Sequence, residues 1–122
     1  MLDIGTAQVQ ADRYGAAENL AHATGCSVVL KGAGSIVAAP GRVAQVVAAG
    51  NPGMATGGMG HVLTGVIAAV HAQGLEAFDA ARCGALLHAH AGDLAARAGE
   101  RGLLPSDVLA CLRHAANPSS AA

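Results

Sequence analysis

The stretch that most constrains the fold runs from Asn51 to Gly65 and reads NPGMATGGMGHVLTG, with glycine at 53, 57, 58, 60 and 65. Val62, Leu63, Val66, Ile67 and Val70 then recur at helical spacing, so a glycine-rich loop feeds directly into a helix. The first turn of a helix leaves backbone N–H groups unpaired and carries the positive end of the aligned peptide dipoles. Glycine lacks the Cβ that would keep an anion at a distance, which makes Gly57, Gly58, Met59 and Gly60 a candidate anion hole for a phosphate. Taken alone, the same residues equally suit a tight turn that needs positive φ angles.

Composition limits what such a loop can serve. A chain of 122 residues suffices for one domain with a modest core. It is 52% hydrophobic but only 2% aromatic, and much of the apolar content is alanine, so the core depends on close backbone approach. A net charge of -1 provides no global field for nucleic acid or an anionic membrane, and phosphate binding has to be local. Cys26, Cys83 and Cys111 are odd in number and widely spaced, which suits reduced thiols in the cytoplasm. No apolar run approaches a membrane span, and the N-terminus lacks the pattern of a signal peptide.

In chain order, the sequence predicts a helix from Thr6 to Ala23 with Thr6 as N-cap and Val9, Ala16, Ala17 and Leu20 as its apolar stripe. Gly25 ends it. Cys26 to Leu30 reads as a strand buried on both faces, which places Lys31 at a strand's C-terminal end, where ligands of open α/β sheets gather. Ser35–Ala39 and Val43–Val47 read as a hairpin pair about Pro40 and Gly41. After the central helix and Gly74, a helix from Glu76 to Ala98 carries Phe78, Leu86, Leu87, Ala91 and Leu94 among its apolar residues. A last helix starts at Pro105, runs to Ala115 and turns Val108, Leu109 and Leu112 inward; residues 1–116 then form the domain and 117–122 a disordered tail. Three strands and four helices fall short of a complete doubly wound sheet, so one layer lacks partners.

The segment KGAGS, Lys31 to Ser35, together with Asn51–Gly65 closely resembles the C-terminal half of the ADP-dependent NAD(P)H-hydrate dehydratases. The match to that family's glycine-rich motif holds at every position of Asn51–Gly65 except His61, where the family has aspartate. The resemblance covers about Thr6 to Leu112. It implies an α/β fold, the second half of a ribokinase-like three-layer αβα sandwich. The first half of the family's domain, including a TPHPGE-like segment, is to be expected from a companion or from the part of the domain that is missing here. The family repairs hydrated NADH and NADPH by phosphorylating the added hydroxyl with ADP and then eliminating phosphate, and magnesium is expected from that type of reaction. By similarity Lys31, Gly32, Ala33, Gly34, Ser35 and Gly60 contact the nucleotide, while His61 occupies the position of the catalytic and substrate-binding aspartate. Relatives commonly form homo-oligomers.

Histidine can accept a proton near neutral pH, but beside phosphates it is drawn to its cationic form and ceases to be a base. Activity is therefore expected to be strongly reduced or lost, with nucleotide binding retained. Two alternatives stand beside this one: another ribokinase-like small-molecule kinase, which NPGMATGG fits less well, and a non-catalytic nucleotide-binding or subunit-association module, which the change at His61 favours. Val37 stands where a dinucleotide fingerprint needs a third glycine, and no Walker loop occurs. His88 and His90 fall on different faces of a helix, which argues against a zinc pair. His88 and Asp93 match a family pattern, and are expected to serve helix packing with satisfied side chains. His22, His71 and His114 are expected at the surface or core edge, and Asp107 complements a helix dipole.

Overall fold

The computed structural model describes residues 2–117, and of the expected tail it leaves 118–122 outside the description. The first helical segment breaks where a single helix was expected. α1 is Thr6–Ala11 and α2 is Arg13–Thr24, separated by Asp12 with φ -144 and ψ 82. The Asp12 carboxylate accepts from Gly15 N–H at 2.9 Å, so its preference for capping a new helix overrides continuation of the old one. Gly5, not Thr6, is the N-cap of α1, and its N–H donates to Gln8 Oε1 at 2.9 Å. Gly25 ends α2 in the left-handed region at φ 67, the conformation for which glycine is the default.

The strands β1 (Val28–Leu30), β2 (Ser35–Ala38) and β3 (Gln45–Val47) form an antiparallel sheet in the order β1-β2-β3. β1 pairs Val28, Val29 and Leu30 with Ala38, Val37 and Ile36, and β2 pairs Ser35, Ile36 and Val37 with Val47, Val46 and Gln45. The strand buried on both faces is β2, not the Cys26–Leu30 run: Ile36, Val37 and Ala38 are at most 1% exposed, whereas β1 is half-buried throughout. The reason is position, since β2 is central and β1 lies at an edge.

Side chains of a strand alternate between faces, and β2 uses this to join two cores. Ile36 and Ala38 pack with Ala17 and Ala21 of α2. Val37 points the other way, into a cluster with Val47, Leu63, Phe78, Ala81, Ala85 and Ala89, contributed in part by α3 (Met59–Ala72) and α4 (Ala77–Ala95). The result is helix, sheet and helix pair in three layers. A third cluster of Met59, Ala91, Leu103 and Val108 fixes α5 (Pro105–Ala115) against α4. Alanine and glycine make these contacts close. At Gly84 a Cβ would come within 2.9 Å of Ile67 Cα, so α3 and α4 cross where neither tolerates a larger residue. Leu109, expected inward, is 54% exposed, as is the apolar Leu86 of α4 at 53%, because the alanine face of α4 and Val108 of α5 supply the contacts instead.

Candidate functional site

Two glycine-bearing segments meet on one side of the sheet. The first is the turn between β1 and β2, where Gly32 and Gly34 have φ 152 and 70 and Lys31, Gly32 and Ala33 are exposed. The Ser35 hydroxyl closes the turn, accepting from Gly32 N–H and donating to the Gly32 carbonyl, both at 3.3 Å. Arg13, at the first position of α2, donates to the carbonyls of Leu30, Lys31, Ala33 and Gly34 at 2.8 to 3.3 Å.

The second segment is the Asn51 loop, which passes through a short 3-10 turn at Pro52–Met54 before α3. Asp93 of α4 holds its start, accepting from Gly50 N–H at 3.0 Å and from Asn51 Nδ2 at 2.9 Å. Thr56 Oγ1 donates to the carbonyls of Gly53 at 3.0 Å and Leu103 at 3.3 Å. Met54 seats on Gly92, where a Cβ would come within 3.0 Å of Met54 Cγ. Gly58 is the N-cap of α3 at φ 94, with no side-chain cap.

Lys31 joins the two segments. Its ammonium rests against Gly60, so closely that a methyl group there would overlap Nζ. Between the segments lies a cavity of about 680 Å³ whose lining includes Lys31, Gly32, Ala33, Gly34, Ser35, Met59 and Gly60. Gly57, Gly58 and His61 are outside that lining, and His61 is exposed on the first turn of α3. The N–H groups of Met59 and His61 already donate to the carbonyls of Thr56 and Gly58 at 3.3 and 3.1 Å. Among the described residues, no backbone carbonyl takes the N–H of Gly57, Gly58 or Gly60.

His88 is not the satisfied packing residue expected from its helix. It is 7% exposed, lines the cavity, and its Nε2 is buried without a hydrogen-bond partner. Burial pushes its pKa below the usual 6.5, the nearby Lys31 ammonium adds to that, and the Met59 backbone acts in the opposite direction. The imidazole is therefore held neutral beside a cation. Asn51 Oδ1, on the same lining, is likewise buried and unpartnered. His90, two residues on, is exposed, in keeping with the opposite faces expected.

Sequence reasoning missed Arg13 and the loop-holding role of Asp93. One signal for Arg13 was available: a cation in the first turn of a helix opposes the dipole there and asks for a partner elsewhere. For Asp93 the match to a family pattern marked the residue but not its role, since its partners lie more than forty residues away in the chain.

A family model described as NAD(P)H-hydrate dehydratase matches residues 1–113. The chain is 44% identical over 119 residues to a bifunctional NAD(P)H-hydrate repair enzyme of Escherichia coli, covering 97% of this chain and 23% of that one. It is 45% identical over 94 residues to an ADP-dependent (S)-NAD(P)H-hydrate dehydratase of Neisseria meningitidis, covering 77% of this chain and 32% of the other. The solved ADP/ATP-dependent NAD(P)H-hydrate dehydratase of Bacillus subtilis, co-crystallised with ATP/Mg2+ and soaked with CoA, superposes with a TM-score of 0.88 at 24% identity, over 94% of this chain and 43% of that one. The chain thus spans about a quarter of the length of the bifunctional relatives and less than half of the solved neighbour. The match supports the ribokinase-like, partial α/β fold.

Proposed function

This chain belongs to the NAD(P)H-hydrate dehydratase family, and from that premise we propose that it is the nucleotide-holding part of an ADP-dependent dehydratase acting on hydrated NADH and NADPH in the cytoplasm. The observation that carries this reading is the placement of Lys31 against Gly60. It brings both glycine segments to one cavity with an ammonium between them. A volume of about 680 Å³ lies within the range of small-molecule sites, and the local positive charge supplies what the net charge of -1 does not.

Phosphoryl transfer is helped chiefly by positioning and by neutralising charge on the phosphate oxygens. Lys31 and the amides of Gly34 and Gly60 are suited to that task, with the N-terminus of α3 as the anion hole. The hydroxyl of the hydrated ring attacks the β-phosphoryl group of ADP and AMP leaves. Loss of phosphate, with a proton from the ring, then restores the double bond. A base is needed for the hydroxyl proton, and His61 stands at the position the family gives to aspartate. An imidazole offers one acceptor on a wider ring where a carboxylate brings two oxygens and a negative charge, and His61 is exposed outside the cavity lining, so turnover is strongly impaired.

A magnesium ion finds no dedicated cage among the described residues. No three His, Cys, Asp or Glu side chains converge there, and both oxygens of Asp93 are engaged by the Asn51 loop. Magnesium would be held by phosphate oxygens and water, its common mode in phosphoryl-transfer sites. The rest of the substrate site belongs to the portion of the family's domain that this chain does not span, which a companion half would supply. A second reading, a nucleotide-binding module without catalysis, is favoured by His61 alone.

Calorimetry tests the nucleotide reading: the chain is expected to bind ADP and AMP, and absence of both ends it. Turnover of hydrated NADH with ADP separates the two functional readings. Joined to a complete N-terminal half, the His61 form is expected to be nearly inactive and His61→Asp to recover activity. Equal rates in the two would overturn the account of position 61.

A further inference from the structure

The turn that carries Lys31 has little packing of its own. Lys31, Gly32 and Ala33 are exposed, and both glycines take φ angles open to few other residues. What fixes it is a side chain from another element. Arg13 Nη1 donates to the Ala33 carbonyl at 2.8 Å and the Gly34 carbonyl at 3.2 Å, while Nη2 donates to the Leu30 and Lys31 carbonyls, both at 3.3 Å. A trans peptide sets each N–H opposite the preceding carbonyl. Pinning these four carbonyls therefore turns the N–H groups of Lys31, Gly32, Gly34 and Ser35 away from the guanidinium; that of Gly32 is taken by the Ser35 hydroxyl, and that of Gly34 has no partner within the turn. Lys31 through Ser35 also line the cavity.

Gly32 is fitted to the same clamp, since a Cβ there would come within 2.7 Å of Arg13 Nη2. Arg13 stands at the first position of α2, where the dipole disfavours a cation, and the four carbonyls are its compensation. A planar fork of donors can serve several acceptors at once; the point charge of a lysine cannot.

We propose that Arg13 is a positioning residue for phosphate recognition: by gripping the outer carbonyls of the Leu30–Gly34 turn, it presents that turn's amides and the Lys31 ammonium to the phosphates of a nucleoside diphosphate. The inference rests on the nucleotide reading above. It makes charge alone insufficient, so that Arg13→Lys behaves like Arg13→Met.

The test is calorimetry with ADP on the whole chain and both variants, with circular dichroism for folding and amide 1H–15N spectra for the site. Both variants are expected to fold and to bind ADP about tenfold more weakly. In them the ADP-induced shift of the Gly34 amide shrinks while that of Gly60 persists, a split that general loosening of the fold would not produce. Retention of affinity within twofold in either variant overturns the proposal, as does equal loss of the two amide shifts. Should neither variant fold, the unmodified chain decides, because a Gly34 amide that ADP leaves unmoved overturns it as well. An unmodified chain that fails to bind ADP defeats the nucleotide reading first and this inference with it; binding without an Arg13 effect defeats the inference alone.

Discussion

The two glycine segments of the site are secured in different ways. The Asn51 loop is built into the core: Asp93 bonds its start, Thr56 bonds across to Leu103, and Met54 sits on Gly92. The Lys31 turn stands out from the edge of the sheet and is held from outside by Arg13 and by Ser35 within the turn itself. The difference separates two kinds of failure. Damage to the loop should cost the fold and the site together, whereas damage to the turn should cost the site and leave the fold.

Substitutions can break or sharpen that contrast. The largest effect is expected at Gly53, where a Cβ would meet the Glu100 carbonyl at 2.5 Å and Asn51 Oδ1 at 3.0 Å. Backbone cannot step aside cheaply, so Gly53→Ala is expected to lower stability by about 2–3 kcal/mol in urea unfolding and to weaken ADP binding with it. An unchanged midpoint would show that the loop is not anchored as described. Asp93→Ala removes the acceptor for two donors and is expected to cost about 2 kcal/mol by the same measurement, again with a loss in affinity. Lys31→Met lies on the other side of the comparison. It removes an exposed ammonium, should leave the unfolding curve within about 0.5 kcal/mol, and should weaken ADP binding about tenfold.

The smallest effect concerns pH. With the pKa of His88 lowered in the folded chain, the unfolded chain binds the proton more readily. Stability is then full above the unfolded value of about 6.5 and declines as pH falls from there toward the lowered folded value. The contribution is at most about 1.4 kcal/mol per pH unit, one proton's worth. His88→Gln is expected to flatten the slope of urea stability between about pH 7 and 5, and an identical slope would show that His88 does not carry it.

Much of this was legible in the sequence where local chemistry decides. The loop feeding α3, the hairpin of β2 and β3, and the start of α5 at Pro105 all follow from glycine, alternation and proline. The approach of Lys31 to Gly60 was legible through the family motifs, whereas Gly57 and Gly58, expected in the same anion hole, lie outside the cavity lining. What escaped depended on partners distant in the chain. The double-faced burial of β2 instead of the Cys26–Leu30 run follows from strand order, which periodicity cannot reveal. The break at Asp12 was within reach, because aspartate ahead of a helical run is itself an N-cap signal. Arg13, Asp93 and the unpartnered Nε2 of His88 acquire meaning only once α2 and α4 are laid against the glycine segments.

The ammonium of Lys31 beside Gly60 has one further consequence. It faces the positive end of α3, and among the described residues no carboxylate pairs with it. Two like charges are thereby kept in opposition by the chain's own folding, and a multivalent anion placed between them would relieve both. Heat resistance should consequently climb with phosphate or pyrophosphate at fixed ionic strength, and far less with chloride.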